Sequence, residues 1–169
     1  MKINLSLIVW ILALSMMVFT VSAQETADKR ISVLDSRNAY FKQEYVLACN
    51  QELIKLDYLA STEDEAAQQE ITVEKTLGYQ LTLNQQGEGY LQLAITKWNE
   101  KLIMFHNKDI KLEIPGGDVT GSLIENQHCF GQDKWITHFN THEWGSYTLK
   151  LTGKPNQNVE LSIIKEIAR

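Results

Sequence analysis

From Glu70 onward, apolar residues recur at every second position. The sets are Ile71/Val73, Tyr79/Leu81/Leu83, Leu91/Leu93/Ile95, Ile110/Leu112/Ile114, Trp135/Thr137/Phe139, Tyr147/Leu149/Leu151 and Val159/Leu161/Ile163. Period two places each set on one face of a pleated strand and leaves polar residues on the other. Turn formers separate the sets: Gln86-Gly87-Glu88-Gly89, Pro115-Gly116-Gly117-Asp118, Glu143-Trp144-Gly145-Ser146 and Gly153-Lys154-Pro155-Asn156. Short half-buried strands at this spacing predict an all-β fold, an antiparallel β-sandwich of jelly-roll-like type. A parallel α/β fold needs long amphipathic helices between its strands, and the sequence carries none.

Upstream the pattern is denser and less regular. Residues 39–60 include Tyr40, Phe41, Tyr45, Val46, Leu47, Leu53, Ile54, Leu56, Tyr58 and Leu59. Residues 39–50 fit a helix or a strand, which leaves room for one short N-terminal helix, whereas Ile54–Tyr58 alternates and reads as a strand. Ser61–Glu70, STEDEAAQQE, is acidic and helix-prone with a candidate cap at Ser61 or Thr62. It reads as a solvated loop or one short helix.

Met1–Ala23, MKINLSLIVWILALSMMVFTVSA, has a positive start at Lys2, an apolar run, and the small-residue ending Val21-Ser22-Ala23. These are the parts of an export signal cleaved near Ala23, and they place the mature chain in the periplasm or outside the cell. An uncleaved anchor is the competing reading; the Val-Ser-Ala ending favours cleavage. No Cys follows the run, so lipid attachment by the lipoprotein route is not expected. No later segment is apolar enough to span a bilayer. The expected organisation is a signal peptide over 1–23, a loose polar leader over 24–38 and one sandwich domain over 39–169. Of 169 residues, 146 then remain, enough for one domain and its core.

The chain has 16 Lys+Arg against 21 Asp+Glu; loss of Lys2 with the signal peptide takes the net charge from −5 to −6. That balance argues against a nucleic-acid partner, which requires a basic face. Two cysteines, Cys49 and Cys129, meet an oxidising compartment, so a disulfide is the expected state. It closes a loop of 80 residues, a constraint worth about 4 kcal/mol in the chain-entropy account. The alternative, Cys129 as a thiol nucleophile beside His128 or His138, lacks any surrounding nucleophile motif.

Candidate chemistry concentrates in Gln127–Glu143, which holds His128, His138 and His142 of the four histidines; the fourth is His106. His138 and His142 have the i, i+4 spacing that presents two imidazoles to one ion on a helix, with His128 or Glu143 completing a metal site. Thr137–Thr141 reads as a strand running into a turn, however. Residues four apart on a strand lie about 13 Å apart, and no Glu stands between the two histidines to serve as a base. Metal binding is therefore a secondary expectation. No Gly-x-Ser-x-Gly elbow, dinucleotide fingerprint or phosphate loop is present, so neither a catalytic residue nor a cofactor is assigned. The aromatic residues are more informative. Trp98 follows a strand end and Trp144 lies in a turn, where an indole is often exposed and can anchor a protein partner or a sugar ring. Trp135, on a strand, is expected to face the core.

Trp144-Gly145-Ser146-Tyr147-Thr148-Leu149-Lys150-Leu151-Thr152-Gly153, followed by Asn158–Ile163, has the form Gly-x-Tyr-x-Leu-x-Leu-x-Gly, a short loop, then Val-x-Leu-x-Ile. This resembles the closing hairpin of bacterial pre-peptidase C-terminal domains and of periplasmic inhibitors of goose-type lysozyme. Ile110–Gly121 sits where those domains carry a strand and turn, and the likeness covers about 60 of the 146 mature residues. It implies an exported jelly roll; no site residue is carried over from it.

The expected function is that of an exported, non-enzymatic binding protein, a periplasmic inhibitor or immunity-type factor. Its partner would be a protein such as a basic cell-wall hydrolase, met through complementary potentials. The rival expectations are a carbohydrate-binding module using Trp98 or Trp144, and a small hydrolase or metal-binding protein built around His128–Glu143.

Overall fold

The computed structural model describes residues 29–31, 33–56, 59–68, 70–73, 77–129 and 134–167. The expected export signal over 1–23 and the first residues of the leader lie outside this set. The chain divides into two units, residues 1–40 and residues 41–169. In the first, residues 29–31 and 33–40 are helical, and the Asn38 side-chain amide donates to the Leu34 carbonyl at 3.1 Å. Part of the stretch expected to be a loose leader is thus helix.

Among its described residues the second unit holds ten strands: β1 (Leu53–Lys55), β2 (Glu70–Thr72), β3 (Leu77–Thr82), β4 (Glu88–Ile95), β5 (Glu100–Asn107), β6 (Lys111–Glu113), β7 (Gly117–Glu125), β8 (Lys134–Thr141), β9 (Gly145–Thr152) and β10 (Asn158–Lys165). They form a six-stranded sheet, β1-β3-β10-β5-β8-β7, and a four-stranded sheet, β2-β4-β9-β6. The alternating sets meet between the sheets: Leu81, Leu102, Met104, Phe139 and Leu161 from one, Leu91, Leu93, Leu149 and Leu151 from the other, all buried. Each such side chain withdrawn from water contributes about 1.5–3 kcal/mol against the entropy of ordering it.

Antiparallel pairing throughout was expected, and the sheets are instead mixed. β1 pairs parallel with β3 and β2 parallel with β4. A parallel pair needs a long return connection. The chain provides it by running from β1 through the short helix Glu63–Ala66 before β3, and from β2 through β3 in the opposite sheet before β4. Thr62 caps that helix, its hydroxyl accepting from the Glu65 N–H at 3.3 Å, and Glu65 in turn accepts from the Ser61 N–H at 2.9 Å.

The outer face of the six-stranded sheet is also closed. Residues of opposite parity on its central strands, Ile103, Phe105, Ile136, His138 and Ile164, are buried beneath the helix Lys42–Cys49. The open question over 39–50 is answered as helix for this segment. Tyr45 turns its ring edge-on to Phe105, with centroids 5.6 Å apart, while Glu44 accepts from the Ile167 N–H at 3.2 Å. Cys49 and Cys129 stand at disulfide-bonding distance, with Cα atoms 5.3 Å apart, and tie the end of this helix to the loop after β7.

Candidate functional site

The site is built where chain crosses between the sheets. β4 ends at Ile95 and the chain enters the other sheet at Glu100; β8 ends at Thr141 and the chain returns at Gly145. The register sets Ile95 opposite Gly145 and Glu100 opposite Thr141. The two crossovers therefore begin and end side by side, and the Asn99 N–H donates to the His142 carbonyl at 3.3 Å to join them. Each presents an indole to solvent: Trp98 is 62% exposed and Trp144 64%. Two largely exposed indoles on adjacent turns have the chemistry of an interface or stacking anchor.

Local chemistry holds both turns. The Tyr147 hydroxyl accepts from the Glu143 N–H at 3.2 Å and donates to the Glu143 carbonyl at 3.1 Å, clasping the turn at whose tip Trp144 stands. Gly145 follows at φ +146°, a conformation that glycine adopts without steric cost. Asn99, at φ +52°, is among the few other residue types that accept left-handed geometry.

Beside Trp98 lies an open groove of about 480 Å3, lined by Lys97, Trp98, Asn99, Glu100, Lys101, Lys165 and Glu166. Two ion pairs order its walls. Lys165 Nζ stands 2.5 Å from Glu100 Oε1, and Lys101 Nζ 3.7 Å from Glu166 Oε1. The Glu166 N–H donates to the Lys101 carbonyl at 2.9 Å, bringing the chain after β10 alongside β5. Glu100 is only 7% exposed, and its Oε2 meets no hydrogen-bond partner among the described residues.

The histidines of the sequence-predicted metal site occupy three different surroundings. His138 is buried under the Lys42–Cys49 helix with Nε2 2.9 Å from the Tyr45 hydroxyl and its ring 4.6 Å from that of Phe41. His142, beyond the end of β8, is exposed, with Nε2 2.9 Å from Asp118 Oδ2. His128 is half-buried, its N–H donating to Asn126 Oδ1 at 2.9 Å, and its ring centre lies 6.5 Å from that of Tyr45. Among the described residues no group of three or more His, Cys, Asp or Glu could hold a metal ion. His106 is buried at the edge of the core; Nδ1 lies 2.9 Å from the Asn107 carbonyl and Nε2 2.9 Å from Thr137 Oγ1. Burial holds its pKa below the ordinary 6.5, and the Asn107 carbonyl only partly opposes this.

Cys129 is buried, and the Asn126 side-chain amide donates to its sulfur at 3.0 Å and to the Tyr45 carbonyl at 3.1 Å. Trp135 is half-buried on β8 rather than fully inside. The solvent face of the four-stranded sheet is polar and internally satisfied. Lys150 pairs with Glu88 at 2.7 Å and stands over the Tyr90 ring at 5.5 Å, and its hydrogen bond holds the Glu88 carboxyl below the usual carboxylate range.

Sequence reasoning singled out both tryptophans but missed the groove. Glu100 is one acid among 21 Asp+Glu, and nothing adjacent to it in sequence marks it as buried. The Tyr147 clasp spans four residues and is visible only once the turn is folded.

In comparison with known proteins, no family model, no curated protein and no solved structure matches the chain. No described helix is long and apolar enough to cross a membrane.

Proposed function

We propose that this chain is an exported, non-enzymatic binding protein of jelly-roll type that holds a protein partner on the Trp98–Trp144 end of its sandwich. Its role is that of a periplasmic inhibitor or immunity-type factor, and the partner class is a basic cell-wall hydrolase. The observation that carries the reading is the pair of indoles, each more than three-fifths exposed, on two crossovers joined by a backbone hydrogen bond. Tryptophan dominates the energetics of protein interfaces when it enters a pocket on the partner. A net charge of −6 after loss of the signal peptide suits a basic target, and a cysteine pair at bonding distance suits an oxidising compartment.

The test is capture from envelope extract by the immobilised mature chain, with inhibition of cell-wall hydrolysis as the readout. Trp144→Ala should weaken capture by about tenfold or more, equivalent to about 1.4 kcal/mol, with circular dichroism unchanged. Retention of polysaccharide without any protein, or capture indifferent to both Trp98→Ala and Trp144→Ala, overturns the reading.

A further inference from the structure

We infer that the Cys49–Cys129 bridge is a thiol-exchange site with a fixed direction: an attacking thiolate bonds to Cys49, and Cys129 leaves as the thiolate. The two sulfurs have opposite polar surroundings. The Asn126 side-chain amide lies 3.0 Å from Cys129 Sγ and 3.9 Å from Cys49 Sγ. The Tyr45 carbonyl oxygen reverses that order, 3.2 Å from Cys49 Sγ and 3.9 Å from Cys129 Sγ. A donor therefore faces one sulfur and an acceptor the other. Asn126 is buried, and its amide is locked in this sense. Its Oδ1 accepts from the His128 N–H at 2.9 Å, and its Nδ2 also donates to the Tyr45 carbonyl at 3.1 Å. A backbone N–H only donates, so the amide oxygen must face His128 and the nitrogen the bridge.

Exchange passes through a mixed disulfide, and its rate depends on which sulfur is reached and how well the other holds negative charge. Cys49 is half-buried and Cys129 buried, so Cys49 is the residue open to attack. Burial alone opposes charge on Cys129, but a hydrogen bond aimed at the thiolate favours it, and Asn126 supplies one at that sulfur. Charge on Cys49 would meet the Tyr45 oxygen instead. The co-reactant is a dithiol. One of its thiolates bonds to Cys49 Sγ as the Cys49–Cys129 bond breaks, and the electron pair leaves on Cys129 Sγ. Its second thiolate then attacks its own bonded sulfur, and Cys49 departs from the end of a helix no longer tied to the loop. Two electrons pass to the bridge, each departing sulfur recovers the proton its attacker gave up, and the dithiol becomes a disulfide. Closure reverses the first step: Cys129 is the nucleophile, and Cys49 carries the mixed disulfide with the oxidant.

The oxidised mature chain is incubated with excess glutathione, quenched with acid and blocked with N-ethylmaleimide, and its peptides are read by mass spectrometry. Glutathione on Cys49 with maleimide on Cys129 should outnumber the reverse arrangement about tenfold or more. Asn126→Asp keeps the acceptor for the His128 N–H and replaces the donor at Cys129 with an acceptor. It should slow the first opening by dithiothreitol about tenfold or more, with circular dichroism unchanged. A purely structural role for Asn126 has the opposite sign, because a loosened loop opens faster. Should Asn126→Asp fail to fold, the adduct ratio in the parent decides alone. Equal adducts at the two cysteines, a majority at Cys129, no adduct at either, or opening as fast in folded Asn126→Asp as in the parent overturns the inference. None of these outcomes bears on capture at the Trp98–Trp144 end, which has its own test.

Discussion

Tyr45 shows how much one side chain can hold. It is fully buried, meets Phe105 edge-on, and places its hydroxyl 2.9 Å from Nε2 of His138, itself 97% withdrawn from solvent. Tyr45→Phe keeps the ring and removes the hydroxyl that makes that hydrogen bond. The expected cost is about 1–3 kcal/mol, because a buried imidazole nitrogen loses one of its partners; urea denaturation at neutral pH measures it. An unchanged midpoint would mean that the pair contributes nothing net. His106 makes a different prediction, about acid. Desolvation lowers its pKa in the fold below the 6.5 of the free imidazole, so near and below that pH the unfolded chain binds more protons than the native one. Its contribution to stability is complete above about pH 6.5 and is lost as the pH falls toward the lowered native pKa. His106→Gln should therefore flatten the stability profile as the pH falls below about 6.5. A profile with the same slope in variant and parent would assign the acid sensitivity to other groups.

The Lys42–Cys49 helix is the element that its own sequence supports least. It has eight residues and no side-chain cap at its N-terminus, and helices shorter than about 12–15 residues are marginal in water. Tertiary contacts therefore hold it: Tyr45 and Ala48 inward, the Glu44 carboxylate on the Ile167 N–H, and the Cys49–Cys129 bridge at its end. Replacing both cysteines by serine should lower stability by about 4 kcal/mol in the chain-entropy account for an 80-residue loop. Amide exchange should then quicken first within Lys42–Cys49, while β5 and β10 stay protected. Equal acceleration everywhere would show that the bridge acts on the whole fold and not on this helix.

The same elements show what the sequence made legible. β4, β6 and β9 bury one face, so Leu91/Leu93, Leu112 and Leu149/Leu151 disclose both strand and inward side, and β10 keeps the alternation of Val159/Leu161/Ile163 although it also buries Ile164 on its other face. β5 buries both faces, Leu102 and Met104 in the sandwich and Ile103 and Phe105 under the helix, so its run Leu102–Phe105 has no period to read. β7 is an edge strand with two register shifts against β8 and with Val119 and Leu123 exposed, which erases its alternation. The helix itself was ambiguous because Tyr45 and Ala48 are the only apolar residues it buries. Of the candidate site, Trp98 and Trp144 could be read from their turns. Their adjacency depends on the pairing of Ile95 with Gly145 and of Glu100 with Thr141, contacts about 50 and 41 residues apart in sequence that no local pattern encodes.

At the scale of the whole molecule, the proposed partner capture draws separately on net charge and on the indole surface. With the proposed export signal removed the chain carries −6, while the charges around Trp98 are largely paired with one another. Long-range attraction to a basic hydrolase then belongs to the molecule, and short-range grip belongs to the tryptophans. Association should slow as salt rises, because a Debye length of about 10 Å at 0.1 M shrinks to about 3 Å at 1 M. Dissociation should change little with salt, since the contacts that must break are apolar. Trp144→Ala should do the reverse, raising the dissociation rate about tenfold or more and leaving association within about twofold. Surface plasmon resonance at two salt concentrations, on parent and variant, reads all eight rates. Association that is indifferent to salt would remove electrostatic steering from the proposal. A variant defect confined to association would remove the indoles as its anchors.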